Sequence, residues 1–293
     1  MRPVRGNLIA LLLATWLVAP AAASDAPTRL PGGTRFMLEL AHHITSGRTP
    51  AGSPVFFRVA NDVVAGDRVV IRKGTVVEGR MQAIGSRGAV GTSGSINFGV
   101  RYVPAVDGQN IRVLATVGNK GRSRDGALVG WVFMWGIFGL TTQGVDAYAL
   151  RGASLEAEVL SDRDIGSTTA PPAANLETAP RTVPLVAARL GKNKVRSIDV
   201  SLERATEKRP LMLELPPDVS ASSVALIGVN GIATIEPVPA LAVTDGRAEF
   251  DLWDVVKYCD DGSNDLRFQV LQADGGRLEG TYSLAVQLKR KQT

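Results

Sequence analysis

The chain contains only two histidines, His42 and His43, and their adjacency limits the chemistry they can perform. On a strand the two side chains would point to opposite faces, and on a helix they would lie about 100° apart. They therefore cannot converge on one metal ion without ligands from elsewhere in the chain. The sequence also has no G-x-S-x-G elbow, no H-E-x-x-H helix and no phosphate-binding loop. We expect the pair to be polar residues at a strand end, and we predict no metal, no cofactor and no catalytic residue.

Three further segments contain residue types that suit a binding site. Gly88, Gly91 and Gly94 have glycine-rich spacing without the strand-to-helix context of a phosphate site, so they predict a turn. Segment 260–265 is rich in side-chain oxygens but lacks the spacing and the closing Glu of an EF-hand, which favours a turn over calcium binding. Cys259 is the single cysteine, so no intrachain disulfide can form, and we expect a small buried thiol. The alternative for Cys259 is a surface thiol that bonds to another molecule.

Carboxylates offer the one catalytic alternative. A pair of carboxylates can catalyse hydrolysis without a histidine, and Glu39 and Glu78 are examples of acidic residues on predicted strands. No motif selects these two residues over other acidic residues of the chain. An envelope hydrolase is therefore kept as the second hypothesis.

Composition fits a globular, β-rich protein. The chain has 293 residues, of which 45% are apolar and 21% charged, and these values exclude a disordered or collagen-like protein. It has 31 glycines and 16 prolines, which favours an architecture with many turns over a helical one. The 33 Lys and Arg residues are mostly interleaved with the 28 Asp and Glu residues, so we predict no nucleic-acid-binding face.

Residues 1–23 have the pattern of a secretory signal peptide. Arg2 and Arg5 precede the apolar run 8–18, and the alanines at 21–23 form a small-residue cleavage site. An uncleaved anchor is the alternative, but the run is well short of the roughly 20 residues that a spanning helix needs. We predict export, to the periplasm or the outer membrane of a Gram-negative cell.

The remainder divides into two predicted β-domains. Residues 161–184 contain four prolines and no apolar periodicity, which is typical of a linker. Residues 28–160 are predicted to form a small β-barrel or sandwich with an apolar helical or hairpin insertion at 127–140. Residues 185–293, in which strand-like runs alternate with Asn-Gly and Asp-Gly turns, are predicted to form a β-sandwich.

A short repeat supports the barrel prediction. Segments 31–40, 72–81 and 150–159 each contain a glycine, then a small residue, then a strand with partial alternation. The glycine predicts a turn with a backbone conformation barred to other residues, followed by a strand whose alternate side chains face a core.

The apolar segment is the most unusual feature of the sequence. Twenty consecutive uncharged residues lie between Asp125 and Asp146, and as a helix their core, 127–140, would be apolar on every side. Such a segment must be buried in protein, at an oligomer interface or in lipid, and a buried core helix or a re-entrant or interfacial segment is favoured over a full span. As a protein-buried element it would plug the end of the barrel or pack against the second domain. Candidate membrane or partner contacts are its large side chains, with a basic flank that suits interfacial anchoring. The contact residues are Trp131, Phe133, Met134, Trp135 and Phe138, and the basic flank is Lys120, Arg122 and Arg124.

A resemblance to known proteins rests on three features of the sequence: the strand start at 30–34 (LPGGT), the run at 63–79 and the apolar insertion. The chain resembles a family of uncharacterised exported bacterial β-proteins and, more distantly, the C-terminal β-barrel of TrbI-like scaffold proteins of type IV secretion channels. The resemblance implies a barrel whose helical insertion reaches the outer membrane as part of a multi-subunit ring. Unlike TrbI-like proteins, this chain carries a predicted cleavable leader and a second β-domain.

These observations predict a non-catalytic exported envelope protein that acts through protein or membrane contacts, as part of an envelope assembly. The expected partner is an envelope protein, a membrane surface or a second copy of the chain.

Overall fold

The computed structural model describes residues 27–85, 95–117, 148–166, 181–190, 193–202 and 209–289. Almost every described element is a strand, which confirms the all-β prediction. The strands up to residue 165 are β1 (Thr28–Leu30), β2 (Arg35–Leu40), β3 (Ile44–Thr45), β4 (Pro54–Val59), β5 (Val63–Ala65), β6 (Arg68–Ile71), β7 (Val76–Gly85), β8 (Ser95–Pro104), β9 (Asn110–Val117), β10 (Tyr148–Ala149), β11 (Ser154–Val159) and β12 (Arg163–Ile165).

The second half of the chain adds eleven described strands and one described short helix. These elements are β13 (Arg181–Pro184), β14 (Ala187–Leu190), β15 (Asn193–Val195), β16 (Ser197–Ser201), β17 (Pro210–Glu214), β18 (Ala221–Val229), β19 (Ile232–Pro239), β20 (Ala242–Thr244), β21 (Arg247–Asp251), α1 (Leu252–Val256), β22 (Gly262–Gln272) and β23 (Arg277–Lys289).

The N-terminal strands close into a barrel with the order β11-β2-β4-β7-β8-β9, in which β9 pairs back to β11. Alternate residues face inward, as in β2, where Phe36, Leu38 and Leu40 are buried. Phe57 on β4 and Phe98 on β8 meet in the barrel interior with ring centroids 5.3 Å apart. The core is therefore filled by side chains, as expected for a barrel of this size.

Four similar turns precede barrel strands β2, β4, β7 and β11. Each has glycine at its third position with φ near +80°, and the fourth residue donates its N–H to the carbonyl of the first, which is type II geometry. The glycines are Gly33, Gly52, Gly74 and Gly152. Three of these turns belong to the repeat that the sequence predicts, and the turn at Gly52 is a fourth copy.

Each turn exchanges two hydrogen bonds with a neighbouring strand. Gly74 donates its N–H to the Val59 carbonyl at 2.8 Å, and Val59 donates its own N–H to the Thr75 carbonyl at 3.0 Å. The other glycines bond in the same way to Val159, Met81 and Leu40. The turns are reciprocal: the turn of β2 bonds to β11 and that of β11 to β2, while the turn of β4 bonds to β7 and that of β7 to β4.

The C-terminal strands form two sheets around one core. One sheet has the order β13-β23-β22-β18-β19, with β16 also paired to β23, and the other has the order β15-β14-β17-β21-β20. Phe250 on β21 and Phe268 on β22 pack together from the two sheets with ring centroids 5.5 Å apart. One buried cluster contains residues of both sheets, so the two sheets pack as a sandwich.

The ends of the predicted linker 161–184 carry strands. β12 pairs with β1, and β13 pairs in parallel with β23. Residues 167–180, between them, lie outside the described residues, and the division into two domains at these positions stays a prediction. The predicted leader 1–23 and the apolar insertion 127–140 also lie outside the described residues.

Candidate functional site

The residues predicted to contact a membrane or partner lie outside the described chain. This holds for Trp131, Phe133, Met134, Trp135 and Phe138, and for the basic flank Lys120, Arg122 and Arg124. The described chain stops at the end of β9 and starts again at Tyr148 in β10. These site predictions therefore stay predictions, and the described candidate site is the contact between barrel and sandwich.

β10 brings the chain directly to this contact, called the junction below. Tyr148 and Ala149 pair with Thr45 and Ile44 of β3, but the Tyr148 side chain belongs to the buried cluster of the sandwich. The turn that follows places Arg151 against the segment after helix α1. The junction thus consists of residues 41–48 and 148–152 from the barrel side and 251–260 from the sandwich side.

His43 is bonded at both ring nitrogens. Its Nδ1 accepts the Arg151 backbone N–H at 2.9 Å, and its Nε2 lies 2.8 Å from the Cys259 carbonyl. Because a backbone N–H can only donate a hydrogen bond, Nδ1 of His43 must be unprotonated. Nε2 therefore carries the ring proton and donates it to the Cys259 carbonyl. His43 is 4% exposed, and its backbone N–H also donates to the Lys257 carbonyl at 2.7 Å. This histidine is a structural link between the two halves of the chain.

His42 is buried beside the same contact. Its ring lies edge-on to Phe56 and Tyr258, at centroid distances of 6.2 Å and 5.8 Å, and its Nδ1 bonds to the His43 carbonyl. Burial lowers the pKa of His42 to about 4, and the charge of Lys257 acts in the same direction. His42 is therefore neutral at neutral pH. The pair lies just after β2, which fits the expectation of polar residues at a strand end. That expectation did not include the burial of both side chains.

Two ion pairs cross the junction. Arg48 Nη2 lies 2.6 Å from Asp251 Oδ1, and both side chains are largely buried. Arg151 Nη1 lies 3.0 Å from Asp260 Oδ2 and also donates to the Tyr258 carbonyl at 2.7 Å. Asp251 is in addition the N-cap of α1, where its side chain accepts the Trp253 N–H at 3.0 Å.

Cys259 is a buried thiol, as the sequence predicts. Its side chain is fully buried, its Sγ lies 3.6 Å from the Val255 carbonyl, and burial raises the pKa of the thiol to about 12. It is therefore not an activated nucleophile at neutral pH.

Segment 260–265 forms a turn and the start of β22. Asn264 is fully buried and bonds back to Asp260, while Asp265 accepts the Ser283 hydroxyl at 2.7 Å and Asp261 accepts the Leu288 N–H at 2.9 Å. The oxygens thus serve different partners. Among the described residues, no three His, Cys, Asp or Glu side chains gather as a metal site.

The carboxylates of the hydrolase alternative lie on different strands. Glu39 is on β2 and Glu78 on β7, with β4 between them in the barrel, and Glu78 forms an ion pair with Arg80 at 3.0 Å. Glu39 is the cross-strand neighbour of Arg58 and lines a cavity at the junction.

This junction cavity is small and has both polar and apolar lining residues. Its volume is about 200 Å³, and its walls come from the ends of β2 and β4, the turn before β11, the β18–β19 hairpin and the segment after α1. Its polar lining residues are Glu39, Arg58, Arg151, Thr234, Tyr258 and Asp260. Sequence analysis did not identify this cavity, because its walls are far apart in the chain and share no motif.

The guanidinium of Arg58 lies across this cavity between the two halves. It donates to the Ala233 carbonyl at 2.8 Å and to the Gly74 carbonyl at 3.3 Å. Burial and the charge of Arg151 lower its pKa from the ordinary value. No carboxylate of the described residues forms an ion pair with Arg58.

No described helix is both long enough and apolar enough to cross a membrane.

No family model and no curated protein matches the chain. Among solved structures, it is similar to ComB10 of the Com type IV secretion system of Helicobacter pylori, with 15% identity over 47% of this chain and 90% of that chain and a TM-score of 0.27. It is also similar to the extracellular domain of a proposed hybrid two-component system of B. thetaiotaomicron, with 12% identity over 82% of this chain and 29% of that chain and a TM-score of 0.22. Both are distant likenesses, one to a secretion-system protein and one to an extracellular domain.

Proposed function

We propose that the protein is a non-catalytic, exported component of the bacterial cell envelope that acts through contacts made by its apolar segment, 127–140. The observation that carries this proposal is how the chain is anchored on either side of that segment. β9, which precedes it, is paired with both β8 and β11 of the closed barrel. Tyr148, which follows it, packs in the core of the sandwich.

When both flanks of a contact element are held in folded domains, binding of a partner to that element also holds the domains in place. The junction supplies rigidity, because two largely buried or half-buried ion pairs and the His43 bonds tie barrel to sandwich. The chemistry of the buried nucleophile candidates supports a non-catalytic role as well. Both nitrogens of His43 are engaged in backbone contacts, and the thiol of Cys259 is protonated at neutral pH.

Cell fractionation of the full chain with its own leader tests the proposal. We compare the native chain with the Trp135→Asp/Phe138→Asp double variant and with Leu241→Asp as a matched control, since Leu241 is 68% exposed on the sandwich. We expect the native chain and the control to sediment with membranes or a large complex. We expect the double variant to be soluble with an unchanged unfolding temperature.

Two outcomes would overturn the proposal. A native chain that behaves as a soluble monomer has no such contact. A double variant that unfolds shows instead that the segment belongs to the protein core.

A further inference from the structure

We propose that the junction cavity is a binding site for a small carboxylate molecule, which the Tyr258 hydroxyl and the Arg58 guanidinium hold. None of the described lining residues belongs to segment 127–140, and the proposal does not depend on the function proposed above.

The first observation is the phenol of Tyr258. Tyr258 is 8% exposed and lines the cavity, yet its hydroxyl has no hydrogen-bond partner among the described residues. Its ring is held by the edge of His42 and by Lys257, whose Nζ lies 5.5 Å from the ring centroid. A hydroxyl without a protein partner has its donor available, so it can donate to an acceptor of a ligand placed in the cavity.

The second observation is the charge of the cavity wall. Arg58 and Arg151 both line the cavity, and Asp260 pairs with Arg151 only. Arg58 uses two of its nitrogens for the Ala233 and Gly74 carbonyls and has no described carboxylate partner. A planar guanidinium with free donors is the protein group best suited to a carboxylate.

The phenol of Tyr258 can donate a hydrogen bond to a carboxylate because it stays protonated. Burial and the nearby Glu236 and Asp254 raise the pKa of Tyr258 to about 12, so its O–H is a donor at any physiological pH. A carboxylate bound between Tyr258 and Arg58 would accept from both groups.

Glu39, the remaining charged residue of the lining, determines which of two kinds of carboxylate ligand the cavity favours. Glu39 lies opposite Arg58 on the neighbouring strand, so a ligand with an ammonium group beside its carboxylate would place one charge near each residue. A simple carboxylate would instead be repelled by Glu39. The volume of about 200 Å³ admits a molecule of several non-hydrogen atoms in either case.

Isothermal titration calorimetry of the full mature chain tests the site. The probes are acetate, succinate, glycine and alanine at millimolar concentrations, with sodium chloride at matched ionic strength as the salt control. We expect saturable binding of at least one probe and none of chloride. Substitution Glu39→Gln weakens binding if the preferred probe is an amino acid and strengthens it if the probe is a simple carboxylate.

The decisive variant is Tyr258→Phe, which removes only the hydroxyl. Because that hydroxyl has no described partner, the variant should unfold at the same temperature as the native chain or higher. It should lose at least about tenfold in probe affinity, as expected for a hydrogen bond to a charged acceptor. Tyr102→Phe is the matched control, since Tyr102 is half-exposed on β8 and does not line the cavity.

Three results overturn the proposal. The first is that no probe binds the native chain in the millimolar range. The second is that Tyr258→Phe binds a probe as tightly as the native chain does. The third is that Arg58→Gln, folded by circular dichroism, retains native affinity for that probe.

Discussion

The backbone N–H of Arg151 donates to Nδ1 of His43 at 2.9 Å, and this bond fixes the proton of the imidazole on Nε2. Nε2 in turn bonds to the Cys259 carbonyl, 216 residues further along the chain. One neutral side chain thus satisfies a donor of the barrel and an acceptor of the sandwich at the same time. Together with the two ion pairs of the junction, it links two cores that form distinct hydrophobic clusters.

Replacement of His43 by Ala should therefore cost about 2–4 kcal/mol of unfolding free energy, because it leaves a buried donor and a buried acceptor unpaired. Urea unfolding followed by circular dichroism measures this loss. Gln287→Ala, at an exposed position on β23, serves as the control and should change the free energy little. A loss for His43→Ala that equals the control would show that the link contributes nothing.

The low pKa of His42 makes stability depend on pH. The unfolded chain takes up a proton near pH 6.5, whereas the folded chain does so only near pH 4. The stabilisation that neutral His42 contributes is therefore fully present above pH 6.5. It falls as the pH drops toward 4, by at most about 3 kcal/mol. Unfolding free energies measured between pH 7 and 4 check this slope.

His42→Phe removes the titrating group and keeps an aromatic ring against Phe56 and Tyr258. We expect its pH slope between 6.5 and 4 to be flatter than that of the native chain. If the slope is unchanged, other groups cause it.

The Arg48–Asp251 pair should show the cost of an unpaired buried charge. Arg48→Met leaves the Asp251 carboxylate largely buried without its partner, which should destabilise the chain by about 3 kcal/mol. Asp251→Ser combined with Arg48→Met removes that charge and keeps an N-cap side chain for α1, so the double variant should lose less than Arg48→Met alone. Thermal and urea unfolding of the three chains measures the difference. Equal losses in the single and double variants would contradict this account of the junction.

The four glycine turns should tolerate Asn better than Ala. At Gly74 φ is +80° and the space around an added Cβ is open, so any cost comes from the backbone. We expect Gly74→Ala to lose about 1–2 kcal/mol of unfolding free energy and Gly74→Asn to lose less. Gly166→Ala is the control, because Gly166 lacks a positive φ and an added Cβ there makes only ordinary contacts. The same rank order should hold at Gly52, which tests whether the fourth turn behaves like the others.

Sequence reasoning predicted local features well. The turns at Gly33, Gly74 and Gly152 were visible because a glycine precedes an alternating strand, and Asp245-Gly246 and Asn230-Gly231 form the predicted turns with positive φ. The sequence pattern of the repeat does not reveal the fourth turn, at Gly52, because the strand after it begins with Pro54, which has no N–H.

Features that depend on distant partners could not be predicted. The parallel pairing of β13 and β16 with β23 joins segments that no turn connects. The roles of His43 and Tyr258 depend on carbonyls and walls contributed by the other half of the chain. A motif search cannot find such residues, because burial and not spacing defines them.

The reciprocal turns also imply an order of folding. β4 and β7 are close in sequence, so their pair of turns can close early and at a small entropic cost. β2 and β11 bond through Leu40 and Val159, and that half of the barrel cannot close before β11, more than 110 residues further along the chain than β2, is free to pair. Until then the edge of β2 that β11 covers lies open, and an incompletely folded chain can pair there with a neighbouring chain.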